Sequence, residues 1–351
     1  MKIALLGLRG AGKKTLFRLL TGSEAVTVPP QGVPGVFPVR DPRVDALSSM
    51  YEPEKTAYAR IEMLLLPDVE KTQGRAVWLD DVRNLDGIVC VARAWSSPAV
   101  FHPAGSADPR RDLDAFLSEL LFADLFLMER RREKLASEQR AKRTPAGERE
   151  LKAIARVVSE LESGRPVRAA GLSQGEKEAL AKYQFLTDKA IAGVINVTHG
   201  AEGAGARAAI ADDFGSRMTL AFFDAKLEGE IAAITDAAER QAFLSGLGIR
   251  EPAVAVLTRG IYDALGLMSY YTVGADEVRA WTVRKGSTAP QAARAIHSDL
   301  ARGFIRVEVM KYQDLVALGG EAKVREAGRC LLKGKDYVVE DGDILSFRSA
   351  S

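Results

Sequence analysis

Gly7, Gly12 and Lys13, spaced as Gly-x4-Gly-Lys, are the residues of this chain best suited to hold a chain of phosphates. Glycines at this spacing let successive backbone N–H groups converge on phosphate oxygens. The helix that follows adds the positive end of its dipole, and the lysine reaches the outer phosphates. Gly10, Ala11, Lys14 and Thr15 complete the candidate loop. The full pattern has Ser or Thr directly after the lysine, because that hydroxyl ligates Mg²⁺. Lys14 occupies that position and Thr15 comes one step late. The expected ligand is therefore one that carries a chain of phosphates, without a well-made Mg²⁺ site.

Such a loop needs a strand to enter it and a helix to leave it. Ile3–Leu6 is a short apolar run ending at Gly7, and Leu16, Leu19 and Leu20 share one helical face. Ala59–Leu66, Gly87–Ala92, Ala190–Asn196 and Met218–Phe223 read as further strands. Gly87–Ala92 is apolar enough to be covered on both faces. Strands alternating with helices predict an α/β fold with a parallel sheet. Val26–Pro38, rich in Pro and Gly, is expected to be an extended loop. Asp41 followed by Pro42 marks a helix start.

From about Leu113 the period changes. Leu117, Leu120, Leu121, Leu125 and Met128 recur at helical spacing, as do Leu151, Ile154, Val158 and Leu161, with Thr144–Gly147 as the break. This predicts an antiparallel helical hairpin inserted in the α/β fold. Ser173-Gln-Gly-Glu176 is a capping box that opens another helix. The hairpin tip holds Arg130, Arg131, Arg132, Lys134, Arg140, Lys142 and Arg143 against three Glu, a net of +4. A solvated face and a nucleic-acid contact both account for it. Near Met268 a separate unit of short strands begins: Val278–Val283, Phe304–Val309, Leu331–Leu332, Tyr337–Val339 and Ile344–Phe347, with one main helix after Pro290.

At 351 residues there is room for two or three domains. A net charge of +2 is too balanced to demand a nucleic-acid partner by itself. Cys90 and Cys330 lie far apart in apolar segments and read as buried thiols of a reducing compartment. His102, His199 and His297 are isolated, which argues against zinc. No run is long and apolar enough for a membrane span, so the expectation is a cytoplasmic monomer without a membrane partner.

These pieces together resemble the YchF / Obg-like ATPase family of translation-factor-related P-loop NTPases. The C-terminal motifs are the most specific: Tyr270-Tyr-Thr-Val-Gly274, Glu277–Val283, Ala289-Pro-Gln-Ala-Ala293, Gly303-Phe-Ile-Arg306, Glu326-Ala-Gly328, Gly334-Lys-Asp-Tyr337 and Asp341-Gly-Asp343. They look like that family's ubiquitin-like β-grasp (TGS) domain, and the hairpin looks like its inserted coiled coil. The resemblance implies an NTPase domain over 1–112 and 185–267, the helical insertion over 113–184, and the TGS domain over 268–351.

It also implies a ribosome or ribosomal RNA as partner. Asn196 and Val197 fall in the fourth nucleotide motif, and Ala225 and Lys226 in the segment that backs the base. The fourth motif reads Asn196-Val-Thr-His199. It lacks the carboxylate that would accept both edge donors of guanine, so ATP is at least as acceptable as GTP. The family's Asp-x-Ala-Gly motif is replaced by Leu64-Leu-Leu-Pro-Asp68, with a shortened segment Thr72–Arg75 after it. Loss of metal and switch positions predicts slow or absent hydrolysis. A scaffold that binds no nucleotide is the alternative.

Overall fold

The computed structural model describes residues 1–69, 78–200, 204–205, 207–208, 210, 214 and 218–350. Thr72–Arg75 lies outside them. The strands are β1 (Lys2–Gly7), β2 (Val33–Val39), β3 (Lys55–Ala57), β4 (Ala59–Leu65), β5 (Gly87–Arg93), β6 (Ala190–Asn196) and β7 (Thr219–Phe223), then β8 (Leu267–Thr272), β9 (Glu277–Arg284), β10 (Phe304–Lys311), β11 (Leu331–Lys333) and β12 (Asp343–Ser349). Contacts divide the chain into two units, Met1–Gly35 with Glu62–Val254, and Val36–Ile61 with Ala255–Ser351.

One sheet has the order β2-β4-β1-β5-β6-β7. Strands β4, β1, β5, β6 and β7 run parallel in it. Ile3 to Leu6 are wholly buried, and every residue of β5 is buried, as a strand covered on both faces requires. The α/β expectation is met. The Pro/Gly segment is different from its expectation, because β2 forms within it. It sits at the sheet edge, where Pro34 and Pro38 cost no interior ladder bond.

The insertion consists of helices α4 (Pro109–Ala141) and α5 (Pro145–Glu162), preceded in the chain by α1 (Lys13–Thr21), α2 (Pro42–Tyr51) and α3 (Trp78–Arg83). Thr144 caps α5 through the Gly147 N–H, with Pro145 in its first turn. Met128, Leu135, Ile154, Val158 and Leu161 form the hairpin's own core. Asp124 of α4 has no exposed surface. Its carboxylate accepts from Arg83 Nη1 at 2.9 Å, from the N–H groups of Leu186 and Thr187 at 3.1 and 2.9 Å, and from the Thr187 hydroxyl at 3.0 Å. A buried carboxylate so fully satisfied ties the hairpin to the segment leading back into β6.

The second unit holds a mixed sheet of order β11-β10-β12-β8-β9-β3, with the helix Ala289–Ile296 packed on a core of Tyr270, Val307, Val309 and Leu345. Tyr337–Val339 is not a strand there. It makes a single bridge from Val338 to Thr288. Cys330 is half-buried rather than fully so, whereas Cys90 is buried.

β3 lies between β2 and β4 in sequence yet pairs parallel with β9. Asp41 fixes this segment. It caps α2 and accepts Arg43 Nε at 3.0 Å, Arg43 Nη2 at 2.9 Å and the Tyr271 hydroxyl at 2.6 Å. Arg43 Nη1 reaches Asp341 at 2.7 Å. Burial alone would raise the Asp41 pKa, but the bonds from Arg43 and Tyr271 outweigh it and hold the carboxyl below its usual 3.8. A lowered native pKa stabilises the fold above the unfolded value, and that stability is lost as pH falls through the native value. Asp41→Asn should cost about 1–3 kcal/mol at neutral pH. In urea unfolding across a pH series, the gap from wild type should close on the acid side of 3.8.

Candidate functional site

At the carboxyl ends of β1 and β6 the chain forms an open pocket of about 780 Å³. Open α/β sheets place their ligand sites at this edge. Gly10, Ala11, Gly12, Lys13, Lys14 and Thr15 line one side, and Asn196, Ala225 and Lys226 another. Gly7 ends the strand beneath. With φ near +152°, a Cβ on it would sit 2.4 Å from the Val91 carbonyl oxygen. Gly12 has φ near +105°, and a Cβ there would lie 2.7 Å from Asn196 Nδ2. Both are positions only glycine fills without strain. The first bond within α1 runs from the Leu16 N–H to the Gly12 carbonyl. The N–H groups of Lys13, Lys14 and Thr15 thus have no partner in the helix, which is the donor array of an anion site.

Asn196 ties the walls together. It is buried, gives Nδ2–H to the Ala11 carbonyl at 3.2 Å, and accepts the Ala225 N–H on Oδ1 at 3.1 Å. Val197 is buried behind the cavity and does not line it, its N–H bonding the Phe223 carbonyl. Asp224 caps the helix Ala225–Ala233 through the N–H groups of Lys226 and Leu227 and accepts the His199 N–H at 2.7 Å. The His199 side chain is exposed and outside the lining.

The lysines behave differently from one another. Lys13 is 4% exposed. Its ammonium meets Asp68 Oδ1 at 2.8 Å and the carbonyls of Pro67 and Leu66 at 3.1 and 3.5 Å. Three donors face three acceptors. Burial pulls its pKa below the ordinary lysine value, and Asp68 opposes that pull. Lys14 is exposed, its Nζ 2.6 Å from the Val26 carbonyl.

Several lining residues are absent from the candidate loop: Arg9, Arg18, Asp68, Trp95, Gly229 and Glu230. Ala225, Gly229 and Ala233 recur every four residues on one helix face, a signal that helical periodicity could have supplied. Trp95 follows the end of β5, where its ring takes the Arg93 guanidinium at 4.6 Å. Arg93 is almost wholly buried, donates to the Val100 carbonyl, and has Nε without a partner among the described residues. His102 accepts the Ala104 N–H on Nδ1, which leaves Nε2–H to face Asp112 at 3.0 Å. Cys90 is pushed up to about 12 by burial, so it offers no thiolate.

In all, five cationic side chains line the cavity against two carboxylates. That donor set fits a polyphosphate. It fits Mg²⁺ poorly: the hydroxyl position is a lysine, and Asp68 is bonded to Lys13. No three His, Cys, Asp or Glu side chains converge elsewhere among the described residues.

The C-terminal unit matches the family model YchF-GTPase_C, described as a protein of unknown function (DUF933), over residues 267–350. The whole chain is 36% identical over 363 residues to the ribosome-binding ATPase YchF of Haemophilus influenzae, covering 99% of this chain and 98% of that one. It is 31% identical to Obg-like ATPase 1 of Caenorhabditis elegans, covering 99% and 92%. The solved structure of the Schizosaccharomyces pombe YchF GTPase superposes with a TM-score of 0.83 at 29% identity, over 99% of this chain and 97% of that one.

The Asn196 bridge generates a direct check. Asn196→Ala leaves the Ala11 carbonyl and Ala225 N–H unpaired and should cost about 1–3 kcal/mol in urea unfolding. Hydrogen exchange of residues 8–14 should quicken with it. Asn196→Asp, which turns the donor facing Ala11 into an acceptor, should cost at least as much.

Proposed function

Because the chain belongs to the YchF / Obg-like ATPase family, we propose that it binds a purine nucleotide in the cavity around Gly7–Thr15 and serves as a ribosome- or RNA-associated switch whose hydrolysis is slow or absent. The observation that carries this reading is the cationic excess around a glycine loop and a helix N-terminus. Gly10, Ala11, Gly12, Lys13 and Thr15 would hold the phosphates, and Asn196, Ala225 and Lys226 the base side. ATP is at least as good a ligand as GTP, because no carboxylate stands at His199 to read guanine.

Lys14 replaces the hydroxyl that would ligate Mg²⁺. Swung from the Val26 carbonyl, its ammonium supplies a tethered monovalent cation to the same phosphate oxygens. A single ammonium neutralises charge but cannot orient metal ligands, which supports binding without fast turnover. The C-terminal unit is read as a TGS module, and the hairpin tip as an RNA-facing surface in a cytoplasmic protein. Within that tip, Arg131 is tied to Glu138 and Glu150, and Arg143 to Glu148. Arg130, Arg132, Lys134, Arg140 and Lys142 carry the surface charge.

A second reading, a scaffold that binds no nucleotide, is favoured by one observation: every donor of Lys13 already has an acceptor. Calorimetry with ATP, ADP and GTP, each in EDTA and in Mg²⁺, separates the two. The nucleotide reading expects ATP to bind in EDTA, with GTP no tighter, and Lys14→Ser to restore a metal requirement. Silence under all conditions supports the scaffold, and binding that appears only with Mg²⁺ contradicts the role given to Lys14.

A further inference from the structure

Helix α4 buries Asp124, Met128 and Leu135. Another of its faces carries Phe122 and Phe126, which are 64% and 51% exposed. Arg130 and Lys134 continue the same row, both exposed. The four stand at steps of four residues, each about 6 Å further along the helix axis. The Arg130 guanidinium lies 5.6 Å from the centre of the Phe126 ring. Carboxylates flank these four at Glu119, Glu129 and Glu133, and the next step of the row, Glu138, is bonded to Arg131.

We propose that the row Phe122–Phe126–Arg130–Lys134 is a stacking platform for unpaired bases of an RNA strand. This rests on the RNA-association reading above and deepens it. Rings left in water add nothing to the hairpin core, and an apolar partner alone gives no reason for two cations in line with them. A single strand offers both complements, base faces for the rings and phosphates for Arg130 and Lys134. Duplex RNA keeps its base faces stacked inside and presents mainly backbone. The row should therefore discriminate single from double strands, which a purely charged tip would not.

Fluorescence anisotropy of the full chain with a labelled RNA of about 20 nucleotides, single-stranded or as a blunt duplex, tests this. The informative variant is Phe122→Leu with Phe126→Leu, which keeps apolar surface and helix propensity while removing the rings. Its melting temperature controls for folding. It should weaken single-strand binding by about tenfold or more, leave duplex binding unchanged, and keep the salt slope of wild type. Arg130→Gln with Lys134→Gln should instead flatten the single-strand slope by about 1.4. If the leucine pair binds single strands as wild type does while the glutamine pair loses slope, stacking is refuted and the charged RNA surface survives. If wild type binds neither RNA, the RNA reading falls and the platform with it.

Discussion

A buried ammonium must be neutralised, and in this protein that requirement falls on Lys13. The glycine loop and the start of α1 aim it inward, where burial depresses its pKa. Asp68 and two carbonyls at the end of β4 take its three donors. Phosphates would ordinarily supply that negative charge. Asp68 supplies it from within, so any anionic ligand competes with a carboxylate already in contact. The remaining charge around the cavity is mostly positive, which keeps it receptive to a polyanion despite that competition.

The second constraint is the set of bonds that hold the cavity walls. Among the described residues, the Asn196 side chain spans from the loop at Ala11 to the helix start at Ala225. Asp224 braces that helix start and the chain at His199. Arg93 anchors the return segment through Val100 beneath a stacked Trp95. Asn196 and Asp224 join the ends of the adjacent strands β6 and β7, and Asn196 also reaches past β5 to the loop that follows β1.

Much of the fold was legible in the sequence because it depends on local signals. The buried runs of β1, β5 and β6, the Asp41 cap, the Ser173 capping box and the hairpin periodicity each follow from residue order alone. Most of the cavity lining in the loop was readable in the same way, whereas Asn196, Ala225 and Lys226 were reached only through the family resemblance. What stayed hidden depends on tertiary placement. β2 forms because an edge position tolerates Pro34 and Pro38. β3 joins the distant β9 rather than its sequence neighbours. Asp68 reads as a displaced remnant of a switch motif, and only the fold brings it to Lys13. Arg131 looks like part of a basic patch until Glu138 and Glu150 are seen to hold it.

The competition between Asp68 and phosphate for Lys13 is tested most directly by Asp68→Asn, which keeps the shape and removes the charge. Titration with ATP in EDTA compares the variant with wild type at equal thermal stability. Release of Lys13 should tighten ATP by about tenfold, near 1.4 kcal/mol. Equal or weaker binding in a folded variant would contradict the account, since Asp68 would then not be holding Lys13 back from the ligand.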